Sequence, residues 1–317
     1  MAIYVSGSLA FDRIMTFPGN FQDHILMDKL HMINVSFMVD GMDERRGGCA
    51  GNIAYTLALL DEKPVIVAAA GRDFESYAHS LASHGLPLEG IRRTEDVFTA
   101  LCYITTDLNS NQITGFYPGA MTLPAEYDFP RIDARQDIAI VSPGNVEDMR
   151  RLPRMYREKG VPYIFDPGQQ LPVLTSEELL EAIEGCLACI TNDYELNMIC
   201  KATGKSEDEI AARASWLVTT LGAEGAQVRG QGENVRIAPV PIDKVLDPTG
   251  AGDAHRAGLI KGLVNGLPMP EAAKLGSVSA SFALEKLGTQ EHVITPATFR
   301  QRYEAVFGAL PKGIFAS

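Results

Sequence analysis

The sequence predicts an α/β protein with a doubly wound, mostly parallel sheet, helices on both sheet faces, and a small β-lid. Two observations predict this fold. Short apolar runs alternate with helical patterns along most of the 317 residues, as is typical of parallel strands joined by crossover helices. Residues 13–46 and 97–120 instead contain short alternating runs, which indicate half-exposed antiparallel strands. We therefore assign residues 1–12, 47–96 and 121–317 to the main domain and the other two stretches to the lid.

The strands predicted for the main sheet are short apolar runs, which suit burial on both faces. They cover residues 3–5, 65–70, 138–141, 163–165, 187–190 and 216–219. Apolar residues at helical spacing, clearest at Ile53, Leu57 and Leu60, predict helices between the strands. The predicted helices cover residues 49–60, 74–84, 147–159, 176–185, 193–202, 207–214 and 254–264. Doubly wound sheets bind ligands beyond the C-terminal strand ends, where the Gly- and Asp-rich segments of this chain fall.

The lid is expected to be one small sheet assembled from two excursions out of the main domain. Residues 33–39 and 101–105 alternate apolar and polar side chains and are predicted to form two of its strands. An exposed lid strand could pair with the same strand of a second copy. A homodimer is therefore one expectation.

Charge and cysteine content limit the partners and the compartment. The chain has 28 Lys and Arg against 40 Asp and Glu, and the net charge of −12 argues against nucleic acid or an anionic membrane as partner. No apolar run approaches the roughly 18 residues that a membrane helix needs, and the N-terminus lacks the basic region of a signal peptide. Five scattered cysteines do not suggest a disulfide framework. We expect a cytoplasmic protein in which Cys186 and Cys189 are buried thiols, with redox or zinc chemistry as the alternative.

The run 247–253, Asp-Pro-Thr-Gly-Ala-Gly-Asp, is the most informative motif. Gly250, Ala251 and Gly252 have little or no side chain, so their backbone N–H groups can approach a phosphate closely. The helix that follows places these groups at a helix N-terminus, where the dipole favours an anion. Asp253 could accept the proton of an attacking hydroxyl beside them. The motif predicts a kinase, and an ordinary turn with a capping aspartate is the alternative.

This run resembles the C-terminal signature of the ribokinase-like (phosphofructokinase B) family of carbohydrate kinases, and further marks of the family occur in family order along nearly the whole chain. The resemblance implies a ribokinase-like fold in which the β-lid covers the acceptor, with ATP as phosphate donor and Mg²⁺ at the phosphates. Within the family, the chain looks most similar to adenosine kinases and bacterial nucleoside kinases. This implies phosphorylation of the 5′-hydroxyl of a purine nucleoside, adenosine first, with inosine and guanosine as further acceptors.

The resemblance also implies which residues hold the sugar. Asp12 stands where the family has an aspartate that hydrogen-bonds two acceptor hydroxyls, and Ser8 and Ser36 are expected to join it. Gly48 and Asn52 belong to a segment like the first family signature, in which a glycine pair can act as a lid hinge and the asparagine binds a ribose hydroxyl. The structural alternatives are an Asx turn at Asp12 and a glycine-rich helix cap at Gly48.

Three residues favour a nucleoside over a simple sugar. Phe116, in the second lid excursion, could stack on a flat base, although a residue of the lid core is an equal alternative. Gln169 and Gln170 follow a predicted strand, and their amides could read the ring nitrogens of a purine. A polar turn is the alternative for this segment.

The donor side is also assigned through the resemblance. Asn192 and Glu195 match the Asn-x-x-Glu element that organises Mg²⁺ and the phosphates, through water, because Mg²⁺ keeps several waters. Thr220, Gly222, Gly225 and Thr249 are expected at the ATP phosphates. Asp247 and Thr249 could offer carbonyl oxygens to K⁺, since many family members are potassium-activated.

Two positions depart from the family pattern. Asp193 stands where the family often has Glu. His255 replaces the usual Phe two residues after Asp253, and its spacing turns it away from that carboxylate, so we expect helix packing or a loop contact.

Other functions remain open at this point. A sugar kinase of the same family, acting on ribose, fructose or a sugar phosphate, is the nearest alternative. A dinucleotide-dependent oxidoreductase is disfavoured because the first strand is not followed by Gly-x-Gly-x-x-Gly, and a P-loop kinase because its motif is absent. A non-catalytic purine sensor is disfavoured because binding alone would not require Asp253.

Overall fold

The computed structural model describes residues 1–25, 31, 32, 34–130 and 132–315. The strands in this part of the chain are β1 Ile3–Ser6, β2 Ala10–Thr16, β3 Gly41–Gly47, β4 Val65–Ala70, β5 Ile91–Arg93, β6 Ala100–Thr106, β7 Gln112–Tyr117, β8 Ile138–Val141, β9 Tyr163–Phe165, β10 Ala188–Asn192, β11 Trp216–Thr220, β12 Ala226–Gly230 and β13 Glu233–Ile237. The helices are α1 Cys49–Leu59, α2 Glu75–Ser83, α3 Val146–Lys159, α4 Ser176–Ile183, α5 Asp193–Thr203, α6 Glu207–Ala211, α7 Ala251–Val264, α8 Met269–Leu284 and α9 Pro296–Phe307.

The main sheet is the doubly wound, mostly parallel sheet that the sequence predicts. Its nine strands lie in the order β13-β12-β11-β10-β9-β8-β1-β4-β5. All pairs are parallel except β11 with β12 and β12 with β13, which form an antiparallel edge. Each of the six predicted strands is present, with shifts of one or two residues at some ends. The predicted fold class is confirmed.

Helices cover both faces of this sheet because successive residues of each strand point to opposite sides. Val5 and Ile140 enter a core with residues of α1, α2, α7 and α8. Tyr4 and Val141, their neighbours in the chain, enter a second core with residues of α3, α4, α5 and α6. The strands are apolar throughout because both faces are buried, which explains why the sequence shows runs and not alternation.

Helices α7 and α8 pack unusually closely, and two glycines on α7 make this possible. A Cβ atom at Gly258 would collide with the carbonyl oxygen of Leu275 and the hydroxyl of Ser279. A Cβ atom at Gly262, one turn later, would lie 2.6 Å from Cα of Ala272. The contact fixes α7 to the body of the protein through its backbone.

The lid is a separate four-stranded sheet in the order β3-β2-β6-β7. The outer pairs are antiparallel as predicted, but the central pair, β2 with β6, is parallel. The central lid strands β2 and β6 follow the main-sheet strands β1 and β5. Because β1 and β5 run in the same direction, the chain leaves the main sheet from their C-terminal ends in both places. The lid sheet includes β2 from Ala10, within the range assigned to the main domain, and the division into domains stays a prediction.

One predicted lid strand is wrong. Residues 34–39 have no regular secondary structure, and Ile33 lies outside the described residues. Phe37 of this segment does turn inward and packs on Phe17 and Phe21, whereas Met38 beside it is exposed. The third lid strand is instead β3, a polar segment that pairs with β2.

None of the helices described in residues 1–315 is long and apolar enough to cross a membrane. The antiparallel strand β7 lies at one edge of the lid with its residues exposed. Dimerisation through this edge stays a prediction.

Candidate active site

The cradle of the 247–253 motif lies at the start of α7. Gly250 adopts a φ of 79°, which favours glycine, and the helix begins at Ala251, three residues earlier than predicted. The amide of Ala251 makes a long hydrogen bond of 3.3 Å to the carbonyl of Pro248. The amides of Gly250, Gly252 and Asp253 make no hydrogen bond to any described residue. They are the free N–H groups of a helix N-terminus and suit a phosphate oxygen.

Asp253 is half-buried in the first turn of α7 and is held by a chain of amides. Its Oδ2 accepts a hydrogen bond of 2.8 Å from Nδ2 of Asn52. Oδ1 of Asn52 accepts in turn from Nε2 of Gln290 at 3.0 Å, and Gln290 also contacts the hydroxyl of Tyr77. The position of the carboxylate is therefore fixed by residues distant in sequence. Gln290 and Tyr77 were missed because nothing in their own segments marks them.

Burial raises the pKa of Asp253, although Arg256 and the hydrogen bond from Asn52 act to lower it. A carboxylate whose pKa moves towards neutrality is a better proton acceptor than an ordinary surface aspartate. The geometry and the charge environment both suit a general base.

Asp253 faces a polar cavity of about 520 Å³ that collects most of the predicted catalytic and donor residues. The predicted residues at its walls are Gln169, Asn192, Glu195, Thr220, Gly222, Thr249, Gly250, Gly252 and Asp253. Cys49, Asp166 and Arg256 also line it and were not predicted as site residues. The cavity lies at the C-terminal ends of β9, β10 and β11, as expected for a doubly wound sheet.

Asn192 and Glu195 form the N-terminal cap of α5. Oδ1 of Asn192 accepts from the amide of Glu195 at 2.7 Å, and Oε2 of Glu195 accepts from the amide of Asn192 at 2.8 Å. The described residues contain no group of three or more His, Cys, Asp or Glu side chains able to hold a metal. These residues fit a Mg²⁺ ion that is coordinated by phosphate oxygens and water, with Glu195 and Asn192 hydrogen-bonding to the coordinated waters. They do not fit a metal that needs several direct protein ligands.

The loop before the cradle is tied down by Asp247. Oδ1 of Asp247 accepts from the amide of Thr249 at 2.9 Å, and Oδ2 accepts from the amide of Gly288 at 3.0 Å. The carboxylate is thus used within the protein, and the cation role of the carbonyl oxygens of Asp247 and Thr249 stays a prediction.

The predicted sugar-binding residues divide into two groups. Asp12, in β2, makes no hydrogen bond within the described residues, and burial and the nearby Asp247 raise its pKa. Ser8 and Gly48 instead build the start of α1, where the Ser8 hydroxyl accepts from the amide of Cys49 at 3.0 Å and Gly48 has a φ of 88°. The side-chain amide of Asn52 is engaged at both atoms, Nδ2 with Asp253 and Oδ1 with Gln290. The Asp12 carboxylate therefore keeps its hydrogen-bonding capacity for the hydroxyls of an acceptor substrate.

Three other predicted substrate residues are less well placed. Ser36 is exposed in the irregular segment 34–39 and does not line the polar cavity. Phe116 lies in β7 with 55% of its surface exposed, opposite Cys102 of β6. Gln170 donates its side-chain amide to the carbonyl of Gly144 at 2.8 Å, so only Gln169 of the pair presents its side chain to the polar cavity.

A second, larger cavity of about 700 Å³ adjoins the first and has mainly apolar walls. Its walls come from residues Pro239, Val240, Pro241, Ile242 and Val245, from the loop containing Ala223 and Gly225, and from Ala280 and Leu284 of α8. Thr220, Gly222, Pro248 and Gly252 line both cavities. An apolar pocket joined to a candidate phosphate cradle suits the base of a nucleotide. The run Pro-Val-Pro-Ile at residues 239–242 is the only sequence signal of this pocket, and the pocket was not predicted.

The pfkB family of carbohydrate kinases matches residues 21–296 of the sequence. The chain belongs to the pfkB carbohydrate kinase family. It is a phosphotransferase with an alcohol acceptor. The resemblance that the 247–253 motif carries is thereby confirmed.

Several nucleoside kinases resemble this pfkB kinase over nearly their whole length. The ligand-free nucleoside kinase of Burkholderia thailandensis is 40% identical, with a TM-score of 0.86, and the match covers 96% of this chain and 100% of that chain. The complex of that protein with inosine is 39% identical, with a TM-score of 0.85, over 98% and 100% of the two chains. A nucleoside kinase of Methanocaldococcus jannaschii is 28% identical over 85% of this chain and 89% of its own length.

In this pfkB kinase His255 is buried between α7 and α8, with 4% of its surface exposed. Its ring lies against Gly276, where an added Cβ atom would approach Nε2 to 2.9 Å. Neither ring nitrogen has a hydrogen-bond partner in the described part of the chain. Burial, with a smaller effect of Arg256, lowers the pKa of His255 to about 3.

The neutral state of His255 makes stability depend on pH. In the unfolded chain the imidazole of His255 takes up a proton near pH 6.5, whereas in the folded protein it stays neutral. The free energy of unfolding therefore falls by about 1.4 kcal/mol per pH unit as the pH drops from 6.5 towards 3. We expect His255→Phe to remove this pH dependence. From pH 7 to pH 5 the free energy of unfolding of the wild type should then fall by about 2 kcal/mol more than that of the variant. Urea unfolding of both proteins at the two pH values measures it. His292, whose pKa burial lowers to about 4, is common to both proteins and cancels. Equal losses would show that His255 is not buried in the neutral form.

Proposed function

We propose that this protein transfers the γ-phosphoryl group of ATP to the 5′-hydroxyl of a purine nucleoside. The observation that carries the proposal is the placement of the Asp253 carboxylate next to free backbone amides, where an apolar cavity and a polar cavity meet. Adenosine is the first candidate acceptor. Inosine and guanosine follow, and the similarity to a kinase with a known inosine complex supports a purine.

The two cavities divide the substrates between them. The base of ATP would lie in the apolar cavity, and its phosphates would pass Thr220 and Gly222 to reach the cradle. The nucleoside would enter from the lid side, with its hydroxyls on Asp12 and its base beside Gln169. This order would bring the 5′-hydroxyl and the γ-phosphoryl group together beside Asp253.

Each part of the site has one task in the transfer. Asp253 accepts the proton of the 5′-hydroxyl as that oxygen approaches the phosphorus atom. The amides of Gly250, Gly252 and Asp253 stabilise charge on the transferred group, because they already point at the place where that charge develops. Mg²⁺, when bound, neutralises charge on the phosphates, and Asn192 and Glu195 would hold its waters.

Closure of the lid would exclude water from the site. β3 ends at Gly47, two residues before α1 begins, and β2 begins beside that end because its Ala10 pairs with Gly47. Gly48 lies at this junction. Excluding water prevents hydrolysis of ATP from competing with transfer to the bound nucleoside. K⁺ at the carbonyl oxygens of Asp247 and Thr249 remains part of the proposal.

An acceptor panel tests the function. Purified protein with Mg-ATP is offered adenosine, inosine and guanosine beside ribose, fructose and fructose 6-phosphate, and ADP release is measured against a reaction without acceptor. We expect turnover with the nucleosides and a background rate with the sugars. Turnover only with sugars would retain the kinase and overturn the acceptor, whereas turnover with none of them would overturn both acceptor classes.

A further inference from the structure

We propose that Arg256 is a further catalytic residue, which binds the transferred phosphoryl group through the edge of its guanidinium that Asp166 leaves free. The inference rests on the proposed phosphoryl transfer and adds a cationic contact to it. Three observations carry it: the direction of the side chain, its fixation by Asp166, and the charge of the cavity.

The side chain of Arg256 runs back along α7 towards the cradle. Arg256 lies one turn after Gly252, and side chains on a helix lean towards the helix N-terminus. A Cβ atom at Gly252 would lie 2.7 Å from Nη1 of Arg256. The guanidinium therefore lies directly beside the backbone of the cradle, in space that a glycine leaves open.

Asp166 fixes the other edge of the guanidinium. Nη2 of Arg256 donates to Oδ1 of Asp166 at 2.7 Å, and Nε lies 2.5 Å from Oδ2. The two side chains are 9% and 2% exposed, so the pair is buried and its orientation is set by two contacts. Nη1 makes no hydrogen bond to a described residue, although it belongs to a side chain that lines the polar cavity.

The charges at the walls of the polar cavity indicate what the free edge of the guanidinium could bind. Asp166, Asp193, Glu195 and Asp253 all line the polar cavity, and Arg256 is the only Arg or Lys among the described residues at its walls. A triphosphate in such a cavity needs a cationic partner besides its metal. The planar guanidinium is well suited to phosphate oxygens, and an arginine supplied by the enzyme's own chain serves this purpose in other phosphoryl-transfer enzymes.

A purely structural ion pair would explain the two contacts to Asp166 but not the free Nη1 beside Gly252. An indirect role is the stronger rival, because the charge of Arg256 lowers the pKa of Asp253. The other groups that face Asp253 are Asn52 and Cys49 of α1 and Glu195 of α5. The test must therefore separate contact with the γ-phosphoryl group from an effect on the base.

The test compares ATP with ADP binding, without any acceptor, in wild type and Arg256→Met by titration calorimetry with Mg²⁺ present. A hydrogen bond from a charged group to the γ-phosphoryl group predicts a loss of ATP affinity of about 10- to 100-fold. ADP affinity should be almost unchanged. We also expect kcat with the best acceptor of the panel to fall by about 10²- to 10³-fold. Because binding is measured without a nucleoside, a wrong acceptor would fail the panel and leave this comparison valid.

Two further variants protect the test against misfolding. Asp166→Asn combined with Arg256→Met removes the carboxylate that the single variant would leave buried and unpaired. Lys261→Met removes another buried cation of α7, which pairs with Glu62 at 2.6 Å away from the cavity. We expect the double variant to keep the ATP-specific loss and Lys261→Met to bind both nucleotides normally. Equal losses for ATP and ADP, or a shift of the acid limb of the pH–rate profile with unchanged ATP affinity, would overturn the proposal.

Discussion

Asp253→Asn is expected to lower kcat by about 10³- to 10⁴-fold while the affinity for the nucleoside stays close to that of the wild type. Asparagine keeps the size of the side chain and an oxygen that can accept the hydrogen bond from Asn52. It cannot take the proton of the attacking hydroxyl. Steady-state rates with the best acceptor of the panel, together with nucleoside binding by calorimetry, measure the two effects separately.

The pH–rate profile and a matched variant sharpen this result. Because burial raises the pKa of Asp253, kcat/KM of the wild type should fall on the acid side of that raised pKa, where the base is protonated. This limb should be absent from the residual rate of Asp253→Asn. Asp193→Asn, a neutralised carboxylate at the wall of the same cavity, should keep both the rate and the limb. Wild-type turnover in Asp253→Asn would exclude Asp253 as the base.

Gly258→Ala is expected to lower the free energy of unfolding by about 3 kcal/mol, the upper end of ordinary overpacking. In an isolated helix the same change would stabilise by up to about 1 kcal/mol, so the sign itself reports the contact between α7 and α8. The new methyl group would meet the backbone carbonyl of Leu275, which cannot rotate away, and α8 would have to move. Urea unfolding at pH 7 measures the loss.

The displacement of α8 should also be visible in nucleotide binding. Ala280 and Leu284 of α8 form part of the apolar cavity, so Gly258→Ala should raise KM for ATP more than KM for the nucleoside. Gly115→Ala is the matched control, because a Cβ atom at Gly115 in β7 has no atom within 4 Å. Unchanged stability of Gly258→Ala would mean that the two helices separate at little cost.

The parts of this protein that follow from local pattern could be predicted from its sequence. The six main strands are apolar on both faces, and this property is visible without knowing their neighbours. The cradle could be predicted because Gly250 and Gly252 have a chemical meaning beside a helix start. The lid was predicted from alternating runs, and the family resemblance added the donor residues, which composition alone would not have separated from ordinary turns.

Other features depend on contacts that a pattern does not encode. Alternation in residues 34–39 correctly indicates which side chains turn inward, but a strand also needs a neighbouring backbone, and β2 pairs instead with the polar segment β3. Asp166 and Arg256 are 90 residues apart, and Asn52 and Gln290 are 238 apart. Neither pair has a spacing that would reveal it. Asn52 was predicted to contact ribose, and its contact with Asp253 appears only in three dimensions.

The crowding of α7 bears on how this enzyme could be redesigned. Within one helix, Asp253 faces the polar cavity, His255 the interior beside α8, Arg256 the buried Asp166, and Gly258 the backbone of α8. Inserting or deleting one residue would rotate every later side chain by about 100°, since the helix has 3.6 residues per turn. A mutant library that aims at new acceptor substrates should therefore leave this helix unchanged. It belongs on the lid strands and on Gln169, which border the proposed acceptor site.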